Sequence, residues 1–113
     1  MAASAITEDI LGVTTTAAIA QYQPVQASGA PATAAGNAMG FATIAAASGA
    51  RVPVAVGITA IAIAGAAIAV GAAVEVHTTV TQVVTKSAGI TIGRAMTAAG
   101  AAGDQIEVWM IPN

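Results

Sequence analysis

The stretch RVPVAVGITAIAIAGAAIAVGAAVEV, residues 51–76, decides how this chain folds. From Val52 to Val74 it carries no charge and is long enough to cross a bilayer as one helix. Its bulky residues are β-branched, however, and they alternate: Val52, Val54, Val56 and Ile58, then Ile61 and Ile63, then Ile68 and Val70, then Val74 and Val76. A period of two belongs to a strand, whose side chains point to opposite faces in turn; a spanning helix has no reason to alternate. Pro53, Gly57, Thr59, Gly65 and Gly71 interrupt the run where strands turn or bulge. Leu and Phe are absent from it, and only Arg51 and Glu75 flank it. The pattern predicts several short strands, and a single membrane span through Val52–Val74 is kept as an alternative.

Outward from that stretch, the composition fits one small domain. Of 113 residues, 57% are apolar and only 7% charged, which excludes intrinsic disorder. Three basic and five acidic residues leave no basic patch to follow a phosphate backbone, so nucleic acid is not an expected partner. There is no Cys, hence no disulfide framework and no thiolate metal site. The start of the chain reaches Glu8 and Asp9 without Lys or Arg, unlike a secretory signal. Half of the apolar residues are Ala, which bury roughly one methyl each, where a Val or Ile buried in full contributes about 1.5–3 kcal/mol. So thin a core predicts burial of further surface by self-association or on a larger body.

The chain also repeats itself. Ala17-Ala18-Ile19-Ala20 recurs as Ala66-Ala67-Ile68-Ala69, and Val25 as Val74. Met39-Gly40-Phe41-Ala42 is echoed by Ile92-Gly93-Arg94-Ala95, and Val52, Val54, Val56 by Ile106, Val108, Met110. The reading is an all-β domain made of two related β units at about 13–58 and 59–113. Residues 1–12 precede the repeat and read as an N-terminal arm that orders on a partner. The Ala-rich runs Thr43–Ala47 and Thr97–Ala102 show no amphipathic stripe and are closed by glycine, so loops or short helical turns are expected there. Val74, Val76, Thr78 and Val80 alternate with Glu75, His77, Thr79 and Thr81, a strand with its polar side outward. The following Lys86-Ser87-Ala88-Gly89 reads as a turn in which Gly89 supplies positive φ.

Few residues could carry chemistry. His77 is the only His and lacks partners for a metal site. Glu75 and Glu107 could form an acid/base pair, but a sugar cleft needs aromatic walls and the chain has one Trp, one Tyr and one Phe. They read as outward charges that keep the sheets soluble. Gly100-Ala101-Ala102-Gly103 is followed by Asp104 and no Lys, so it is not a phosphate loop. No enzyme, cofactor or metal is expected. Trp109, Tyr22 and Phe41 are each either a core plug or an interface anchor. Trp109 alternates with Ile106, Val108 and Met110 and is expected on the opposite face, at a subunit contact.

The Ala-Ala-Ile-Ala step leading to Val74, the Ile92-Gly93-Arg94-Ala95 element, the Ala-rich run to Gly103-Asp104 and the closing strand Ile106-Glu107-Val108 resemble the small capsid decoration, or cement, proteins of tailed bacteriophages. The likeness runs from about Thr14 onward. It implies a small β-barrel-like or β-tulip-like domain that assembles as a homotrimer on the outer surface of an icosahedral head and stabilises the shell. It further implies the major capsid protein as partner and an N-terminal arm, with Ile6, Ile10 and Leu11 as its apolar groups, that adds to a capsid sheet. Membrane binding is not implied. A tail or head-completion component of the virion is the alternative.

Overall fold

In the computed structural model, the described residues are Ala5 and 10–111. They form nine strands: β1 Ile10–Thr14, β2 Pro24–Val25, β3 Gly40–Ala42, β4 Arg51–Ala55, β5 Thr59–Ile63, β6 Ala73–Val76, β7 Val83–Thr85, β8 Gly93–Ala95 and β9 Gln105–Met110. Two antiparallel sheets result, ordered β1-β4-β3-β2 and β5-β9-β8-β6-β7. The protein is all-β, as the alternation predicts, and neither sheet closes into a barrel. Residues 52–74 fold as β4, β5 and the start of β6, which overturns the single-span alternative. No helix among the described residues is long and apolar enough to cross a membrane. The Ala-rich runs 43–47 and 97–102 are loops of bends, turns and single bridges.

The second sheet copies the strand order of the first, with β7 added at its edge. The register agrees too. Ile10 faces Ala55 and Thr14 faces Arg51, as Thr59 faces Trp109 and Ile63 faces Gln105. The loops carry matching hydrogen bonds: Thr15 N–H donates to Ala50 O and Ala64 N–H to Asp104 O, both at 2.8 Å. Ile19 and Ala46 exchange two backbone bonds, as do Ile68 and Ala99. Gly40 and Gly93 occupy equivalent places, and both must be glycine for the same reason. A Cβ on Gly40 would lie 2.2 Å from Ala55 O, and one on Gly93 would lie 2.6 Å from Trp109 O. At such distances the sheet cannot close.

Each sheet buries one face under its own Ala/Gly loops. In the first, Val25, Ala42, Val52 and Val54 pack with Ile19. In the second, Val74, Ala95, Ile106 and Val108 pack with Ile68, and this larger core also takes in Ala32, Phe41 and Ala55 from the first half. On β5 the buried side is Ala60 and Ala62, while Ile61 and Ile63 are half-exposed on the outer face. Small residues face inward there, although the bulky ones carry the alternating signal.

Candidate functional site

Among the described residues, the polar side chains singled out above serve turns and strand edges. Glu75, expected outward, is buried. Its Oε1 accepts the backbone N–H of Ser87, and that of Gly89 at 3.2 Å, so the carboxylate organises the turn that follows β7. Burial without such donors would be costly, which explains why an acid can sit inside the sheet at all. Gly89 lacks the expected positive φ. It is required instead by close approach, since a Cβ there would come within 2.6 Å of both Ala35 Cβ and Glu75 Oε2. Glu107 is half-buried and accepts the Thr59 hydroxyl at 2.7 Å. β6 ends at Val76, and His77 opens a tight turn in which its Nδ1 accepts Thr79 N–H at 3.0 Å. Among the described residues no three His, Cys, Asp or Glu side chains converge to hold a metal ion.

The three aromatics separate. Phe41 is a core plug, 2% exposed between the sheets, which removes it from the candidate subunit contacts. Tyr22 is half-buried and adopts φ +66°, in the turn where the second half has Gly71 at φ +83°. Both residues donate the equivalent bond, Tyr22 N–H to Ala42 O at 2.8 Å and Gly71 N–H to Ala95 O at 2.7 Å. Tyr22 and Phe41 line a cleft of about 250 Å³ between the sheets, together with Ala5, Thr43, Ala60 and Ile61. Its walls present no cluster of charged side chains.

Trp109 is half-exposed, on the face opposite Ile106 and Val108, as expected. It stands in one row of the second sheet between Arg94 on β8 and Thr59 on β5. Arg94 is exposed, and its guanidinium donates to Gly71 O at 3.2 Å. The next row holds Met96, Glu107 and Ile61, joined by Met96 N–H donating to Glu107 O at 2.7 Å. With Val70 nearby in sequence to the Gly71 turn, this outer face combines exposed apolar groups with one cation. Ile10 and Leu11, counted above with the arm, belong to β1, where they pair with Ala55 and Val54 and remain exposed. Ile6 lies outside the described residues.

An open, largely apolar surface on an all-β scaffold points to assembly. The family model of phage cement proteins matches residues 6–110. This chain belongs to the phage cement protein family. A cement protein is a structural component of the phage head, associated with the capsid. No curated protein matches the sequence. Among solved structures, the fold is similar to the crystal structure of the head fiber gp8.5 N base in bacteriophage phi29, with a TM-score of 0.74 at 15% sequence identity over 91% of this chain and 93% of that one. So high a superposition at so low an identity says that the fold is shared.

Sequence reasoning missed the buried carboxylate of Glu75 and left Phe41 open between a core plug and an interface anchor. The first had a signal available: an acid between Val74 and Val76, with the Ser87–Gly89 turn able to offer it free N–H groups. For Phe41 the repeat could not choose between the two readings, because its equivalent in the second half is the exposed Arg94.

Proposed function

We propose that this protein is a capsid decoration protein that binds the outer surface of an icosahedral phage head as a homotrimer and stabilises the shell, without catalysis or a cofactor. The family match over residues 6–110 is the observation that carries the reading. The physical support is the thin alanine core together with the exposed Ile10, Leu11, Met96 and Trp109, which leave apolar surface to be covered by partners. The major capsid protein is the outer partner, met by the segment that leads into β1. Sister subunits are the lateral partners, with Trp109 and Tyr22 in their contacts. Many modest contacts repeated over a symmetric shell hold it by avidity rather than by one tight site.

The reading is tested by mixing purified protein with mature and with immature heads that lack it. Co-sedimentation with mature heads, density on their outside by electron microscopy and a higher temperature of genome release are the expected results. Removal of the first nine residues is expected to abolish head binding while leaving the β circular dichroism signal intact. Failure of the full chain to bind heads of any maturation state overturns the proposal.

A further inference from the structure

The first strands of the two sheets have the same register on their neighbours but opposite surroundings. On β5, Thr59 is 5% and Ala60 1% exposed; on β1 the equivalent Ile10 is 55% and Leu11 51% exposed. The cause lies beyond the sheet. β5 packs on β3 of the first half, at a junction where Phe41 and Ala55 are buried and where Tyr22, Thr43, Ala60 and Ile61 line one cleft. In the second half the positions equivalent to Phe41, Ala55 and Thr43 hold Arg94, Trp109 and Met96. All three are exposed, Trp109 at 51% and Met96 at 49%. The chain therefore completes one such junction internally and carries the two halves of another, unmated: β1 on the first sheet and the Arg94–Trp109–Met96 face on the second.

We propose that these halves mate between chains, β1 of one copy seating on the Arg94–Trp109–Met96 face of the next as β5 seats on Phe41 and Thr43 within the chain. The occupant of that face is a second copy of this protein. Terminal units of a repeat array ordinarily present a polar cap, whereas here both terminal surfaces expose large apolar side chains. Because two different surfaces meet, the contact is head-to-tail rather than a two-fold pair: each copy offers one of each, and a closed ring, as opposed to an open filament, follows from the homotrimer reading. The number three rests on the homotrimer reading above; the pairing of surfaces does not.

The chain has no cysteine, so single cysteines report the contact cleanly. Leu11→Cys and Met96→Cys stand at the positions equivalent to Ala60 and Thr43, which line one cleft inside the chain. Mixed and mildly oxidised, the two variants are expected to give a disulfide-linked dimer, while neither alone does. A chain carrying both cysteines is expected to give a covalent ladder that ends at the ring size. Leu11→Cys linking to itself means a two-fold contact and overturns the proposal. So does the absence of any cross-link, in solution or on decorated heads. Trp109→Glu is expected to weaken association at least tenfold by sedimentation velocity with an unchanged circular dichroism spectrum; association at the wild-type level overturns the proposal as well. A protein that cross-links head-to-tail yet ignores heads keeps this inference and removes the cement role, and one that decorates heads without cross-linking does the reverse.

Discussion

The two sheets share strand order, register and loop hydrogen bonds, yet the first owns a small core around Val52 and Val54 and the second a large one around Ile106 and Val108. The difference teaches where the stability of the chain resides. The second half recruits Phe41, Ala55 and Ala32 from the first, so the first sheet is held partly by leaning on the second. Backbone geometry is duplicated, whereas the burial that stabilises it is not.

The sharpest way to break this comparison is to truncate equivalent core residues. Ile106→Ala is expected to cost about 4 kcal/mol by urea denaturation, since it leaves a cavity in the larger cluster. Val52→Ala removes two methyl groups from the smaller one and is expected to cost about 2 kcal/mol. Equal losses would mean that the two cores contribute alike. Next, Gly40→Ala and Gly93→Ala are each expected to lose about 2–3 kcal/mol, because the new methyl collides with a carbonyl of the neighbouring strand in both sheets. If thermal melts show one tolerated and the other not, the equivalence of β3 and β8 is superficial.

Glu75→Ala probes the carboxylate that organises the turn after β7, at the position where the first half has Gln26 bonded to Pro31 O. It leaves the Ser87 and Gly89 N–H groups without their acceptor and is expected to cost about 2 kcal/mol at neutral pH, with faster amide exchange confined to residues 86–89. The smallest effect concerns the shared turn. Gly71→Ala meets no neighbouring atom within 4 Å, so only the positive φ is strained, and about 1 kcal/mol is the expected loss. Tyr22→Gly relieves the same backbone strain but gives up the ring that lines the cleft between the sheets, so its net change in melting temperature separates packing from conformation.

Particular residues show how far the sequence could be read. The strands β4 and β9 were legible because β-branched residues recur at every second position, Val52 and Val54 in one and Ile106 and Val108 in the other, and all four are buried. β5 was legible as a strand but not in its polarity, since Ala60 and Ala62 turn inward and Ile61 and Ile63 outward. The candidate surface was half legible. Trp109 lies where the alternation put it, while Ile10 and Leu11 proved to be strand residues and Phe41 a core residue. Glu75 looked like a solvated charge because its donors stand twelve and more residues further along the chain.

The amino-acid sequence alone determined the all-β class and the recurrence of its elements, for both follow from spacing and residue type along one strand at a time. The tertiary structure alone decided which side of each strand is covered. That choice depends on what packs across from it, and equivalent residues such as Phe41 and Arg94, or Ala55 and Trp109, meet different neighbours because one sheet has a second sheet beside it and the other has only its surroundings.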